Sequence, residues 1–240
     1  MRTVLAISAR ELGSFFRLPV GWIVIALFLL LTSVVFAFDT LMPGEAATLR
    51  HFFVSAGLLL TFIAPAISMR LLSEEQRAGT IEPLMTSPAP DGAIIFGKYL
   101  GACAFLGAMV LPTIVFPIVL FVVAEPAPDV GPIVAGYVAL LLLGMLYVGI
   151  GTLASAVTAS QTLAFLGTLF ILVGLQLATA RIAPMLPEPY ANWVAYLSLT
   201  RRVEDFAKGV VDGRNVVFLL TASLWFLVAG MAVIDSRRWR

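Results

Sequence analysis

The stretch LPVGWIVIALFLLLTSVVFAF, Leu18–Phe38, decides the fold class of this chain because it carries no charged residue. A helix of this length, rising about 1.5 Å per residue, is about 30 Å long. The hydrocarbon core of a bilayer has about the same thickness, so the stretch predicts a transmembrane helix. It is also longer than the roughly 7–15 apolar residues of a cleaved signal peptide, which disfavours that alternative.

Uncharged runs recur along the rest of the chain, at Phe52–Met69, Tyr99–Ala124, Val130–Ala180 and Val216–Ile234. The third of these is too long for one crossing, and the polar cluster Thr158–Thr162 near its middle indicates two helices. The sequence therefore predicts an all-α, polytopic membrane protein with six transmembrane helices in a single domain, 1–240. The predicted spans are about 18–38, 52–72, 96–124, 131–157, 161–181 and 215–235.

Composition supports a lipid environment and excludes several classes of protein. The chain has 240 residues, of which 60% are hydrophobic and 12% charged. Soluble domains carry about a quarter charged residues. The formal net charge of +1 offers no basic surface for nucleic acid. Cys103, the single cysteine, can form neither an internal disulfide nor a paired-cysteine metal site.

The distribution of Lys and Arg predicts the orientation. Basic residues cluster at the amino end, in the loop between the second and third spans, and at the carboxyl end, so six spans place all three regions in the cytoplasm of a bacterial inner membrane. The segment 181–215 disagrees, because it carries five basic residues and yet must lie outside. Its four acidic residues can offset that charge.

Two segments outside the spans predict amphipathic helices. Leu5, Ala9, Leu12 and Phe16 share one face of the amino-terminal segment, which predicts an interfacial elbow helix before the first span. In the outer loop 181–215, the residues Leu199, Val203, Phe206 and Val210 form a helical apolar stripe. Gly209 and Gly213 are predicted to end that helix.

The loop 70–98 carries an unusual amount of helix punctuation. Ser73 and Gln76 are spaced as a capping box, and Gly79 can end the helix that they begin. Thr80 can cap a second helix, with Glu82 in its first turn. Two short capped helices in a cytoplasmic loop predict an ordered element. Such an element is suited to docking, because little conformational entropy is lost when it binds a partner.

Enzymatic function is disfavoured by the residues present. The stretch GAIIFGKY, Gly92–Tyr99, comes close to a phosphate-binding loop but has Tyr99 where Ser or Thr must reach magnesium. His51 is the only histidine, so neither a metal-dependent protease nor a Ser–His or Cys–His nucleophile is supported. Lys98 is interpreted as the cytoplasmic anchor of the third span.

Three stretches resemble ABC transporter permeases of the type-2 exporter class, in the branch that includes gliding-motility-associated permeases. The first is MRLLSEEQRAGTIEPL at Met69–Leu84, although Pro83 stands where the family commonly has an aliphatic or small residue. The second is Gly149–Ser155 with Thr158 and Gln161, and the third is Phe206–Asp212 with the terminal Arg237-Arg238-Trp239. The stretches occur in the family's order and extend over essentially the whole chain.

The resemblance implies a permease subunit of an ABC exporter that is not itself an enzyme. A second permease, identical or related, would complete the path through the lipid bilayer, and two copies of a separate ABC ATPase subunit would hold ATP and magnesium. The expected ATPase-coupling residues are Glu74, Glu75, Arg77, Gly79, Thr80, Ile81, Glu82 and Leu84. A membrane anchor or scaffold subunit of a motility or secretion machine is the alternative.

Polar side chains within the spans are candidates for the translocation path. These are Thr113, Thr152, Ser155, Thr158 and Gln161. Hydrogen bonding between packed helices is an equally good interpretation of the same residues. The substrate stays open at this stage, with a lipid, a glycan and a peptide all compatible with the sequence.

Overall fold

A computed structural model describes residues 2–41, 47–79 and 91–237, and these residues form helices without strands. We number the helices in chain order: α1 Arg2–Arg17, α2 Pro19–Val35, α3 Arg50–Ser68, α4 Ser73–Ala78, α5 Asp91–Val110, α6 Val115–Val123, α7 Val130–Val157, α8 Gln161–Leu177, α9 Tyr190–Tyr196, α10 Leu199–Ala207 and α11 Gly213–Arg237. Short turns extend α2 to Thr40 and α8 to Met185, and a turn at Leu111–Ile114 joins α5 to α6.

Among the described residues, six helical segments are long and apolar enough to cross a membrane, which confirms the predicted fold class. They are Pro19–Thr40, Arg50–Ala78, Gly92–Val123, Val130–Val157, Gln161–Met185 and Gly213–Ser236. The two most buried segments are those of α7, at 67%, and α3, at 61%, whereas those of α2 and α8 are 22% buried. The centre of the bundle is therefore α7 with α3, and the remaining spans surround it with apolar faces suited to lipid.

The bundle has two ends, which we name by the short helices found there. At the α4 end, α4 lies beside the last turn of α7 and the first turns of α5. Met231, near the end of α11, also approaches Gly92 at this end. At the α9 end lie α9, α10 and the first turn of α7, with Gly209 close to Pro132. The carbonyl oxygen of Val4 lies close to Gly97, so both ends of the described chain share the α4 end with the described residues of the predicted cytoplasmic loop.

The predicted elbow helix is present as α1, but its packing face differs from the predicted one. Leu5 is exposed, whereas Glu11 and Phe15 are buried. The reason is a close approach to two glycines of α5: a Cβ built on Gly97 would lie 2.9 Å from Cβ of Ile7, and one on Gly101 would lie 2.6 Å from Cβ of Glu11. Small residues four apart let membrane helices approach in this way.

The helix predicted in the outer loop is present as α10, and Gly209 ends it as predicted, whereas Gly213 has a different role. Ser198 caps α10 by accepting a hydrogen bond from the backbone nitrogen of Arg201. Gly209 follows the helix with φ +83°, a conformation that glycine adopts without strain. Gly213 does not end a helix, since it is the first residue of α11.

Candidate functional site

The candidate site is the polar region at the α4 end, and its first feature is the pair of helix ends that bound α4. Gly79 has φ +67° and its backbone nitrogen donates to the carbonyl of Gln76, so the predicted helix end at Gly79 is confirmed. The predicted capping box is wrong. Ser73 is already inside the helix, and its hydroxyl donates back to the carbonyl of Met69.

The start of α4 is capped by a residue from another helix. Ser155, fully buried in the last turns of α7, accepts hydrogen bonds from the backbone nitrogens of Leu72 at 3.0 Å and Ser73 at 2.9 Å. Its hydroxyl lies 3.1 Å from the carbonyl oxygen of Met69 and donates to it. The first backbone N–H groups of a helix have no partner within it, so Ser155 satisfies groups that α4 cannot.

A second contact fastens α4 to the end of α7. The side-chain nitrogen of Gln76 donates to the carbonyl oxygens of Ser155 at 3.2 Å and Ala156 at 2.8 Å. The last carbonyls of α7 would otherwise have no helical partner. The termini of the two helices therefore satisfy each other, which fixes α4 against the end of the most buried span.

A buried ion cluster joins α4 to α1 and α5. Nζ of Lys98 lies 3.0 Å from Oε2 of Glu11 and 3.0 Å from Oε1 of Glu75. Lys98 is 4% exposed, which corrects its interpretation as a membrane-surface anchor. Because α5 begins at Asp91, Lys98 lies inside a helix that packs on α1. A charge this deeply buried needs its counter-charges close by.

Around this cluster is a polar cavity of about 520 Å³ lined by charges of both signs. Its lining side chains belong to α1, α4, α5 and the turn after α3, namely Arg10, Glu11, Ser14, Arg70, Glu74, Glu75, Ala78 and Lys98. The guanidinium of Arg70 lies 5.2 Å from the ring centre of Phe15 and 3.5 Å from Oε2 of Glu74. The cavity therefore brings three basic and three acidic side chains together at the junction of the three elements.

The predicted coupling residues divide into two groups in the structure. Glu74, Arg77 and Gly79 are exposed on α4 and at its end, whereas Glu75 faces Lys98. Thr80, Ile81, Glu82 and Leu84 lie outside the described residues, as does the second predicted helix. The structure thus gives α4 an exposed face and a face that is bonded to its neighbours.

The other polar candidates make contacts within and between helices. The hydroxyl of Thr152 donates to the carbonyl of Val148 on its own helix. Thr113 is likewise bonded to its own turn and accepts a hydrogen bond at its carbonyl from the hydroxyl of Tyr137. Thr158 accepts from the backbone nitrogen of Ser160, and Gln161 is the first residue of α8. Among the hydrogen bonds described for these five residues, those of Ser155 reach the start of α4.

Two polar groups of the fold were not predicted from the sequence. Gln176 of α8 donates to Oγ1 of Thr61 at 2.6 Å and to the hydroxyl of Tyr147 at 3.2 Å, which links three spans. An amide late in an uncharged run is a signal that could have found it. Arg202, 4% exposed, lies 3.8 Å from the ring centre of Phe218 and donates to the carbonyl of Tyr196. No spacing rule links it to these partners.

Fold and site together define a class of protein. The described residues form a bundle of six apolar spans with α7 at its centre, and a charged, tightly bonded short helix lies at one end of the bundle. Among the described residues, no group of three His, Cys, Asp or Glu side chains could hold a metal ion. These features are those of a multi-pass membrane protein with a polar element at one surface, as in a membrane transporter subunit.

Comparison with known proteins identifies the family. The sequence profile of the ABC-2 family transporter proteins matches residues 5–234, and the chain belongs to that family. The family is one of transporter permeases, which are normally not enzymes. Two curated relatives are the Probable multidrug ABC transporter permease YbhR of Escherichia coli strain K12 and the protein of the same name in Escherichia coli O157:H7. Each is 25% identical to this chain over 166 residues, which is 69% of this chain and 44% of the relative. This chain matches less than half the length of those relatives.

Proposed function

We propose that this chain is the permease subunit of an ATP-driven exporter in the bacterial inner membrane. It forms half of the translocation path together with a second permease, identical or related. Two copies of a separate ABC ATPase subunit, which hold ATP and magnesium, dock at the α4 end. The observation that carries the proposal is the attachment of α4 to three different spans.

These attachments give a physical route for coupling. Only a four-residue turn separates α4 from α3, and hydrogen bonds from Ser155 and Gln76 join it to α7. The ion pair of Glu75 with Lys98 joins it to α5. A displacement of α4 by the ATPase therefore acts on the second, third and fourth spans at once, because each bond is short and most of the groups are buried.

The exposed face of α4 supplies the docking surface in this proposal. Glu74 and Arg77 present charges of opposite sign to the solvent. Such charges orient and register a partner more than they add to affinity. The sequence continues with Thr80, Ile81, Glu82 and Leu84, which lie outside the described residues and which the proposal assigns to the same partner, with two apolar side chains for a groove on the ATPase.

The sequence supports an orientation of the protein in the membrane and a branch of the permease family. The clusters of Lys and Arg support a cytoplasmic location for the α4 end and for both termini. The motifs quoted above favour the gliding-motility-associated branch of permeases. The name of the Escherichia coli relatives, a probable multidrug permease, instead favours drugs as the cargo. The polar residues Thr113, Thr152 and Ser155 support helix packing rather than cargo binding, because their hydroxyls bond to backbone groups.

The test uses co-expression with a candidate ABC ATPase from the same genome, purification through a tag on the ATPase, and ATP hydrolysis in nanodiscs. Arg77→Glu reverses a charge on the exposed face of α4 and should weaken co-purification, because a misplaced charge disturbs the register of the partner. Arg214→Glu, the matched control, reverses an exposed charge at the opposite end of the bundle and should co-purify like the wild type. Ser155→Ala should retain the ATPase but uncouple its hydrolysis from transport.

The alternative, a membrane anchor or scaffold subunit without transport of its own, gives a different pattern. A scaffold would retain its partners in all three variants, and candidate substrates would not change ATP hydrolysis. Normal assembly and normal substrate-stimulated hydrolysis in Arg77→Glu and Ser155→Ala would show that α4 is not the coupling element.

A further inference from the structure

A large apolar cavity lies on the other half of the bundle, away from α4. It has a volume of about 760 Å³ and is bounded by α7, α8 and α11, with Leu197 and Leu199 lining it at the α9 end. Both α8 and α11 pack against α7. Gly174 on α8 and Ala222 on α11 are small residues in its wall, which leaves the space between these two helices open.

The chemistry of the wall excludes water as a stable occupant. Apart from Thr221 and the indole nitrogen of Trp225, the lining side chains are hydrocarbon. The hydroxyl of Thr221 donates back to the carbonyl of Val217 at 2.7 Å, so it is satisfied within its own helix. Water needs two to four polar partners in a buried site, which this wall does not provide.

The position and length of the cavity match one leaflet of a bilayer. Along α11 the lining extends from Phe218 to Phe226, about 12 Å at 1.5 Å per residue. Half of the hydrocarbon core is about 15 Å thick. A transmembrane helix from a second copy would need a groove along the full thickness of about 30 Å. The length of the cavity therefore fits an acyl chain that enters from one leaflet of the bilayer.

Aromatic residues indicate where the headgroups of that leaflet lie. Tyr190, Trp193 and Tyr196 of α9 are 58%, 70% and 59% exposed, in a helix without buried residues. Exposed Tyr and Trp are typical of the membrane–water interface. The cavity begins next to this helix, at Leu197, and extends toward the middle of the membrane.

We infer that this cavity binds an acyl chain of a phospholipid from the leaflet on the α9 side. The acyl chain fills the space between α8 and α11, and the headgroup of the lipid lies at the level of the α9 aromatic residues. The bound lipid makes the loosely packed α8 part of a continuous apolar surface. This inference requires only that the six helices cross a membrane, so it holds whether or not α4 couples to an ATPase.

The experiment uses the full chain in nanodiscs that contain phosphatidylethanolamine with a photoreactive diazirine in its acyl chain. After irradiation, mass spectrometry locates the labelled residues. Wild-type protein should be labelled more strongly at Ile171, Leu175 and Trp225 than at Phe170 and Val228, which are exposed but do not line the cavity. Gly174→Leu should reduce the cavity labelling several-fold, because the new side chain occupies the space.

The matched control is Gly167→Leu on the same helix. A Cβ at either glycine meets no atom within 4 Å, so the two positions are matched in the space next to the backbone, but Gly167 does not line the cavity. Its labelling pattern should equal that of the wild type. Equal labelling of cavity and non-cavity residues, or unchanged labelling in Gly174→Leu, would overturn the inference. Cross-links from Trp225 to a second copy of the chain would also overturn it.

Discussion

The side-chain oxygen of Ser155 lies 2.9 Å from the backbone nitrogen of Ser73, a residue 82 positions earlier in the chain. One serine thus replaces the local N-cap that the sequence pattern of α4 suggests. This replacement changes how α4 is held, because a cap from a neighbouring residue would order α4 without bonding it to another helix. A cap supplied by α7 orders the short helix and ties it to the fourth span in the same contact.

Replacing Ser155 with Ala should destabilise the α4 end of the protein. The substitution leaves the backbone nitrogens of Leu72 and Ser73 buried without an acceptor, at a cost of about 1–3 kcal/mol for each buried unsatisfied group. We expect a lower melting temperature in detergent and faster hydrogen exchange in α4. Ser236→Ala removes an exposed serine that bonds only within α11 and serves as the control. Identical melting curves for the two variants would contradict the prediction.

Removing the buried cation should be more damaging than removing an exposed one. In Lys98→Met, Glu11 and Glu75 lose the ammonium group that lies 3.0 Å from each, and breaking a buried pair typically costs about 3–5 kcal/mol. Unfolding titrations should show this loss, whereas Lys208→Met, at an exposed lysine, should behave like the wild type.

A triple variant separates charge from packing at the same site. When Lys98→Met is combined with Glu11→Gln and Glu75→Gln, no uncompensated charge is buried, so a large part of the lost stability should return. If the triple variant is less stable than Lys98→Met, the ion cluster is not the source of the effect.

The contact between α1 and α5 should be sensitive to a single methyl group. In Gly101→Ala the added Cβ would lie 2.6 Å from Cβ of Glu11 and 2.9 Å from the carbonyl oxygen of Ser8, so α1 must move away. Overpacking of this kind costs about 1–3 kcal/mol. Gly107→Ala on the same helix meets open space and should be neutral or slightly stabilising. Thermal unfolding should give a lower melting temperature for Gly101→Ala than for Gly107→Ala. Equal melting temperatures would contradict the prediction.

The orientation can be checked with reporter fusions. Fusions at either terminus and at Gly79 should report the cytoplasm, and fusions near Glu45, Pro128 and Tyr190 should report the opposite side, because Lys and Arg favour the cytoplasmic side of the bilayer. Reporters on the two termini that respond on opposite sides would be incompatible with six crossings.

The helices themselves could be predicted because their physical cause is local. An uncharged run such as Leu18–Phe38 has few ways to satisfy its backbone in lipid other than as a helix. The end of α4 at Gly79 and the amphipathic α10 also follow from nearby residues. Short-range rules therefore predicted the elements of the fold with little error.

The partners of the polar residues could not be predicted in the same way, because those partners are distant in sequence. The capping box of Ser73 and Gln76 obeyed a local rule, but the amide of Gln76 donates to the carbonyl of Ala156, 80 positions away, and the backbone nitrogen of Ser73 donates to Ser155, 82 positions away. Lys98 looked like a surface anchor until α1 placed a carboxylate against it, 87 positions away. Only the packed arrangement of helices decides between a local partner and a distant one.

The distance along the chain between α4 and its cap also determines when that helix can form during synthesis. Leu72 leaves the ribosome 83 residues before Ser155, and a six-residue helix is not stable alone in water. We expect α4 to stay unformed until the fourth span has been inserted beside the second. A nascent or misinserted chain that lacks the fourth span would then have no ordered α4 to offer a partner. Arrested chains that end before and after Ser155 should therefore differ sharply in the protease resistance of α4.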